Sequence, residues 1–550
     1  MIFDFFMRKI ILLGKCMTKL TKIGRFRLIN LITKFPLHPI FIAIYPVVFL
    51  YSHNIKEVYI NSIFLPIFVI LLITSLATIV LSYFLKNLHK ASFLTSFLLV
   101  SFFSYGHVVS FFGGVKLEIM RVNIFNDYIL LDFWIALTFI IIFFTLRSRK
   151  GFRNITPSIN IISAFLVLFS VANIVISGLT TGSIIFSRSN LTEISNLQPK
   201  KDAESKNLPS VYYIILDRYA DEEILKEDFN FDNTNFIDFL QKTGFYVARD
   251  SYTNYPKTFL SLAASLNMEY LDELSKNYKD KNEWSLMYEH IYNHKVLRYL
   301  NSKGYEVVHF GDWWEPTRIN KYADKNINYY GTGVMDEFAN KLIETTLIFP
   351  IIKQDPTWYD KVRNGHLFKF DGLAKISTTK GPKFIFAHVI LPHEPYVFGA
   401  NCEPVNKKVK LGTPEEKVAY INQLKCTNKK VKVLISQIIN NSNPKPMIIL
   451  QSDEGPFDEE FRGGVGGKID WAKLSTKSLR SHLKILNAYY LPETENSNLY
   501  PTITPVNSFR LIFNRYFDAN FETLPDKIFM IPSMDKPYIY IDVTNKLREK

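Results

Sequence analysis

Several apolar runs in this chain end in residues able to hold a cation or a phosphoryl group. VYYIIL leads into Asp217, MIIL leads through Gln451 and Ser452 into Asp453 and Glu454, and FIFAHVIL leads through Pro392 into His393. A fourth stretch, SYTNYPKTFLSLAASLN (251–267), sets Thr258 just after a Tyr-Pro turn, at the head of a small, apolar segment with helical spacing. Carboxylate oxygens suit hard divalent cations and zinc alike, whereas imidazole favours zinc and its neighbours. A hydroxyl at a helix start has backbone amides near it, which suits an incoming phosphate or sulfate. Coordination by a cation would lower the hydroxyl's pKa and make it a nucleophile. Asp217, Thr258, Asp453 and Glu454 are therefore candidate ligands of one metal site, with Thr258 its candidate nucleophile.

Such residues need a scaffold that brings distant segments together. VYYIILD (211–217), YEVVHFGD (305–312), KFIFAHVIL (383–391) and MIILQSD (447–453) are strand-like, and FIDFLQKTGF (236–245) and YINQLKCTNKKVKVLISQIIN (420–440) have apolar residues at helical spacing. Strands interleaved with helices predict an α/β domain with a mostly parallel central sheet. In open parallel sheets ligands sit at the carboxyl ends of strands, where Asp217, His393 and Asp453 fall. Each residue alone has a plainer reading: Asp217 as a helix cap or turn, Thr258 as a cap, His393 as a turn residue. His388, inside its strand, reads as structural, and Trp313 and Trp314 as packing. The Gly455-Pro456 turn after the two acids favours a site over a solvated loop. NKKVK (406–410) reads as a solvated loop and GGVGG (463–467) as an excursion close to the metal motif.

The long hydrophobic runs lie almost entirely before residue 180. About 20 apolar residues are needed to cross a bilayer, and five segments qualify or nearly so: 36–52, 63–85, 91–112, 127–146 and 157–180, the first of them short. Asp132, inside the fourth, is expected to face other helices. Residues 1–34 are rich in Lys and Arg, as are KNLHK (86–90) and RSRKGFR (147–153), whereas the alternate loops are nearly balanced. The positive-inside rule then puts the N-terminus in the cytoplasm and everything after the fifth span outside. The net charge of +14 is thus partly a topology signal, and no motif supports nucleic-acid binding. The expected organisation is an N-terminal segment and membrane anchor over 1–182, a polar linker over 183–207, an extracytoplasmic catalytic domain over 208–530 and a tail over 531–550. Cys402 and Cys426 fall in the exported part, where an oxidising compartment permits a bridge; their spacing leaves a bridge and two separate thiols equally open.

VYYIILD, NYPKT with SLAASLN, AHVILPHEPY and QSDEGP, in that order, resemble the alkaline phosphatase/sulfatase superfamily, above all its membrane-anchored branches similar to lipoteichoic acid synthase and phosphoethanolamine transferases. LNAYYLP (486–492) and PVNSFRLIFNRYF (505–517) resemble C-terminal signatures of sulfatase-like membrane proteins. The resemblance covers roughly 208–530 and implies a five-helix anchor followed by an alkaline-phosphatase-like domain. It implies that Asp217 is the first acidic ligand, that Thr258 forms a covalent phospho-intermediate, and that Asp453 is the Asp of an S-D-H-G motif. It also implies that His393 contacts the substrate phosphate, and that Trp314 and Arg318 grip a phosphoryl head group. One or two divalent ions (Mn, Mg or Zn) would be bound. The chain departs from the pattern at Glu454, where the family has histidine; a carboxylate there favours harder ions. His482 could in principle supply the missing imidazole, but it is not expected to. The C/S-x-P-x-R motif of true sulfatases is absent around TFLSL, and a threonine nucleophile points to phosphoryl chemistry.

These readings lead to a membrane-anchored phosphotransferase or phosphodiesterase acting on a lipid- or glycan-linked phosphodiester at the cytoplasmic membrane's outer face. The competing expectation, raised by Glu454, is a catalytically silent scaffold for envelope polysaccharide assembly. A transport module is disfavoured by the scarcity of intramembrane charge.

Overall fold

The computed structural model describes residues 35–181 and 208–548, apart from 56–57, 59, 113–117, 120–121, 124–126, 150, 283, 330–336, 353–356, 464–469 and 493–497. The linker at 183–207, the basic N-terminal segment and most of GGVGG lie outside the described residues. The chain divides into two compact units, one of residues 1–186 with 336–355, the other of 187–335 with 356–550.

The first unit contains five apolar helices: α1 (His38–His53), α2 (Phe64–Leu85), α3 (Leu88–Phe112), α4 (Asp127–Arg147) and α5 (Thr156–Thr181). The segments 60–85, 88–112, 129–147 and 156–177 are long and apolar enough to cross a membrane. At 16 residues α1 spans about 24 Å, short of a ~30 Å hydrocarbon core. The helices are joined by polar contacts: Asn160 Oδ1 accepts from His38 N at 2.7 Å, and Ser101 and Thr138 share a hydrogen bond of 2.7 Å. Such bonds hold helices together where the hydrophobic effect does not. Outward-facing Phe68, Ile73, Ile79 and Phe84 on α2 are more than half exposed, the surface a bilayer would cover. Asp132 is exposed on α4, in the second turn of the helix, instead of turned into the bundle.

Residues 336–355 come from far along the sequence and pack into this unit. Phe338 and Leu342 are buried with Val47, Tyr51 and Ile55, and Gly106 N donates to Thr345 O at 3.0 Å. A Cβ at position 106 would stand 2.1 Å from Glu344 O, so only glycine admits this approach.

The second unit is built on a seven-stranded sheet: β1 (Val211–Leu216), β2 (Tyr246–Val247), β3 (Glu306–Phe310), β4 (Lys325–Ile327), β5 (Lys383–Val389), β6 (Met447–Gln451) and β7 (Asn487–Tyr490). The order is β2-β7-β6-β1-β5-β3-β4, with β6 through β4 parallel and β7 reversed. β1 is central, and all six of its residues are buried. Its alternation serves two cores: Val211, Tyr213 and Ile215 face one, Tyr212, Ile214 and Leu216 the other. Burial on both faces is why these strands read as continuous apolar runs.

Helices α6 (Thr258–Asn267) and α10 (Pro505–Phe517) supply the first core. Helices α7 (Thr357–Ile376) and α8 (Pro414–Asn441) supply the second. A further short helix, α9 (Thr476–Leu483), adds Leu479 and Leu483 to the first core. Residues beyond 530 also fold inward: Tyr538, Val543 and Leu547 join that core. Cys402 and Cys426, the latter on α8, form a disulfide.

Candidate metal centre and active site

The three central parallel strands present their carboxyl ends side by side. Asp217 follows β1 directly, with its N–H donating to Val389 O at the end of β5. His388 is the penultimate residue of β5 and pairs in register with Ile215. Asp453 lies two residues beyond β6. One ligand atom from each of Asp217, His388 and Asp453 lies within 4.8 Å of the others, and all three residues are buried. Asp217 Oδ1, His388 Nε2 and Asp453 Oδ2 are buried without a hydrogen-bond partner. Buried polar atoms are nearly always satisfied, and three orphans converging from neighbouring strands fit a divalent cation.

The electrostatics agree. Burial pushes the Asp453 carboxyl well above its ordinary range, and the adjacent Asp217 and Glu454 add to the shift. Burial acts on Asp217 in the same direction, but the interactions with His393, His388 and Arg218 outweigh it and hold the carboxyl at about 2. Two neighbouring carboxyls driven apart in this way share one site.

The supporting contacts orient His388 for ligation. Its Nδ1 lies 3.0 Å from Thr317 Oγ1, leaving Nε2 toward Asp217 Oδ2 at 3.3 Å, close enough for charge attraction but without hydrogen-bond alignment. Lys369 donates to the His388 carbonyl and to Asp312, two further buried groups. A ligand whose other nitrogen is engaged has its tautomer and ring plane set in advance. Trp314 packs edge-on against His388 at 5.6 Å between ring centroids.

Thr258 is the first residue of α6, and its hydroxyl is near enough to the Asp453 carboxylate to favour the charged form. Lys257, the residue before it, caps the helix without a side-chain bond, leaving the first-turn amides to other partners. His393 N donates to Asp217 O at 3.2 Å, and the His393 side chain lines a cavity of about 330 Å3 together with Arg218, Glu394, Phe457 and Arg462.

Three residues have other places than their sequence context suggests. Glu454 stands outside the triad: Arg218 Nε is 3.3 Å from its Oε1, and Lys257 Nζ is 3.2 Å from both oxygens. Arg318 is buried and forked onto Glu315, with Nε to Oε2 at 2.7 Å and Nη2 to Oε1 at 3.1 Å, so its guanidinium is already committed. His482 is no replacement ligand, because its Nε2 lies 2.7 Å from Pro256 O and its Nδ1 2.9 Å from Gly455 O. The imidazole of the triad comes instead from His388, which reads as structural in the sequence because it sits within its strand. Arg218 also escapes a motif-based reading. Its one local signal is adjacency to Asp217.

An α/β sheet with a cation triad at the carboxyl ends of its central strands is the architecture of alkaline-phosphatase-type hydrolases and transferases, which work on phosphoryl or sulfuryl groups. A profile of one family of that type, described as Sulfatase, matches residues 209–508. That is more than half of the chain, and the chain belongs to the sulfatase family. None of the curated proteins matches. Among solved structures, the C-terminal periplasmic domain of EcEptC from Escherichia coli, in complex with Zn, is 14% identical, with 63% of this chain and 96% of that chain covered and a TM-score of 0.41. The C-terminal periplasmic domain of phosphoethanolamine transferase EptC from Campylobacter jejuni is 12% identical, covering 58% and 93%, with a TM-score of 0.35. Lipoteichoic acid synthase LtaP from Listeria monocytogenes is 12% identical, covering 64% and 82%, with a TM-score of 0.33.

Proposed function

We propose that this chain is a membrane-anchored, extracytoplasmic, metal-dependent phosphotransferase or phosphodiesterase with Thr258 as nucleophile. The observation that carries the reading is the convergence of Asp217, His388 and Asp453, each buried and each with an orphaned polar atom, near Thr258 at the head of α6. The basic loops between spans and the Cys402–Cys426 bridge both support an exported domain.

A divalent cation (Mn, Mg or Zn) bound by the triad would lower the proton affinity of the Thr258 hydroxyl and offset phosphoryl charge. Asp453, next to the Thr258 hydroxyl, would accept its hydrogen bond and so hold its oxygen at the cluster. Thr258 Oγ1 forms a bond to phosphorus while the bond to the departing alcohol breaks. The proton that Thr258 releases balances the one the alcohol takes up. A second attack, by water or by a glycan, lipid or polymer hydroxyl, frees Thr258 again. His393, on the cavity wall, stabilises the developing phosphoryl charge. The substrate class is a lipid- or glycan-linked phosphodiester, reached from the membrane to which the chain is anchored.

Turnover of a phosphodiester by the purified full chain tests this. Thr258→Ala is expected to retain its fold and bound metal and to lose at least a thousandfold in kcat, about 4 kcal/mol, with loss of a phospho-adduct on residue 258. Wild-type turnover by that variant, or failure of the wild type to bind Mg, Mn or Zn, would restore the scaffold reading.

A further inference from the structure

Glu454 poses a specific problem: it is 1% exposed, next to a triad that already contains two carboxylates. A third acid there would worsen the repulsion unless positive charge came with it. That charge is present on two side chains, each adjacent in sequence to a residue of the reactive centre. Arg218 follows Asp217, and Lys257 precedes Thr258. Both of Glu454's oxygens are taken by Lys257 Nζ at 3.2 Å, and Oε1 also receives Arg218 Nε at 3.3 Å. Phe457 backs the pair, with Arg218 Cζ 4.4 Å and Lys257 Nζ 4.3 Å from its ring centroid.

The backbone is shaped for this arrangement. Arg218 has φ +62°, a left-handed conformation that a long side chain rarely adopts. It is held there by Tyr420, whose hydroxyl donates to Arg218 O at 2.8 Å, and by an Arg218 N contact to Asp453 Oδ1 at 3.4 Å. The 452–455 loop is pinned as well: Ser452 Oγ accepts from Tyr219 N at 2.9 Å and donates to Glu454 O at 2.7 Å. Neither cation is exhausted by its partners. A guanidinium has five N–H donors and an ammonium three, and Arg218 also lines the cavity beside the triad, where it meets Glu394. A histidine at 454 would leave Arg218 and Lys257 without their shared counter-ion.

We infer that Glu454 is a positioning residue: it holds Arg218 and Lys257 as a two-cation clamp for the non-bridging oxygens of the phosphoryl group that Thr258 attacks. The acid is a consequence of the clamp and does not ligate the metal. This inference rests on the reading of the triad and Thr258 as the reactive centre, and its test is separate from the test of the nucleophile.

The experiment uses the full chain in detergent, with Mn2+ and inorganic phosphate as probes in calorimetric titrations. Glu454→Gln is expected to bind Mn2+ within threefold of wild type, while the Mn2+-loaded variant binds phosphate at least tenfold more weakly. Lys257→Met, which keeps an unbranched side chain of similar length without the charge, is expected to behave the same way. Arg218→Met should also lose phosphate affinity with Mn2+ binding intact, and Arg218→Lys should recover part of it. A purely structural role would lower the melting temperature without separating the two affinities. Tenfold loss of Mn2+ binding in Glu454→Gln would make Glu454 a ligand and overturn the inference. Unchanged phosphate affinity in Glu454→Gln or Lys257→Met, or no phosphate binding by wild type, would overturn it as well. If Glu454→Gln does not fold, Lys257→Met decides alone. Thr258→Ala is expected to keep phosphate binding, so the clamp and the nucleophile can fail independently.

Discussion

His388 Nε2 stands 3.3 Å from Asp217 Oδ2 across two neighbouring parallel strands, and Thr317 holds the other ring nitrogen at 3.0 Å. The pair is built by register: His388 is opposite Ile215 in the β1–β5 ladder, and Asp217, two residues on and just past the end of β1, falls in the same phase. A ring fixed from behind by a hydroxyl and facing two buried carboxylates is arranged as a ligand, which sets the first expectation.

His388→Ala should weaken divalent-cation binding by more than a hundredfold, read by titration with Mn2+ or Zn2+. Thr317→Val, which leaves all three ligand atoms in place but frees the ring, should cost about 10–100-fold. Equal affinity in Thr317→Val and wild type would show that Thr317 does not orient the ring.

The metal-free protein should have an unusual stability profile. The folded-state pKa of Asp453 is raised, so between the ordinary carboxylate value near 4 and that raised value the folded state binds the extra proton. Stability from this group therefore falls as pH rises through that window. Asp217 acts in the opposite sense, since its folded pKa is lowered to about 2: its contribution is present above about pH 4 and is lost as pH falls toward 2. Asp453→Asn should remove the alkaline-side decline and raise the melting temperature of the metal-free protein. Saturating Mn2+ should stabilise wild type, by about 2.7 kcal/mol at a hundredfold excess over Kd, and should not stabilise Asp453→Asn.

The Cys402–Cys426 bridge closes a segment of 24 residues between the loop after β5 and helix α8. The chain-entropy account gives about 3.5 kcal/mol for a loop of that length. The paired Cys402→Ser, Cys426→Ser variant should lose about that much in denaturant unfolding, and a mass shift on alkylation without reductant should be absent at both positions in wild type.

Gly455 carries the two acids past the end of α9, donating its N–H to His482 O at 2.7 Å. A Cβ there would lie 2.4 Å from Ser481 O, which is backbone and cannot swing aside. Gly455→Ala should cost about 1–3 kcal/mol of stability and should weaken Mn2+ binding through displacement of Asp453. Tight metal binding in a destabilised variant would show that the loop relaxes without moving that ligand.

Much of this architecture is set by local pattern. The runs ending at Asp217 and Asp453 are read from composition because strands buried on both faces must be apolar throughout. The NYPKT turn before a small-residue helix places Thr258 for the same local reason. The apolar segments of α2 to α5 announce themselves by length alone. None of this required knowledge of which segments touch.

What only the tertiary structure decides is the partnering across long separations. His388 lies 171 positions from Asp217, and nothing within its strand distinguishes a ligand from a packing histidine until β5 is laid beside β1. The same holds for residues 337–352, whose close approach to α3 at Gly106 no local pattern announces. Glu454 shows the difference most sharply. The sequence marks it as a departure from the expected histidine, but an acid's role depends on the charges facing it. Those charges, on Arg218 and Lys257, come from segments some 200 residues away that meet it only when the sheet is assembled.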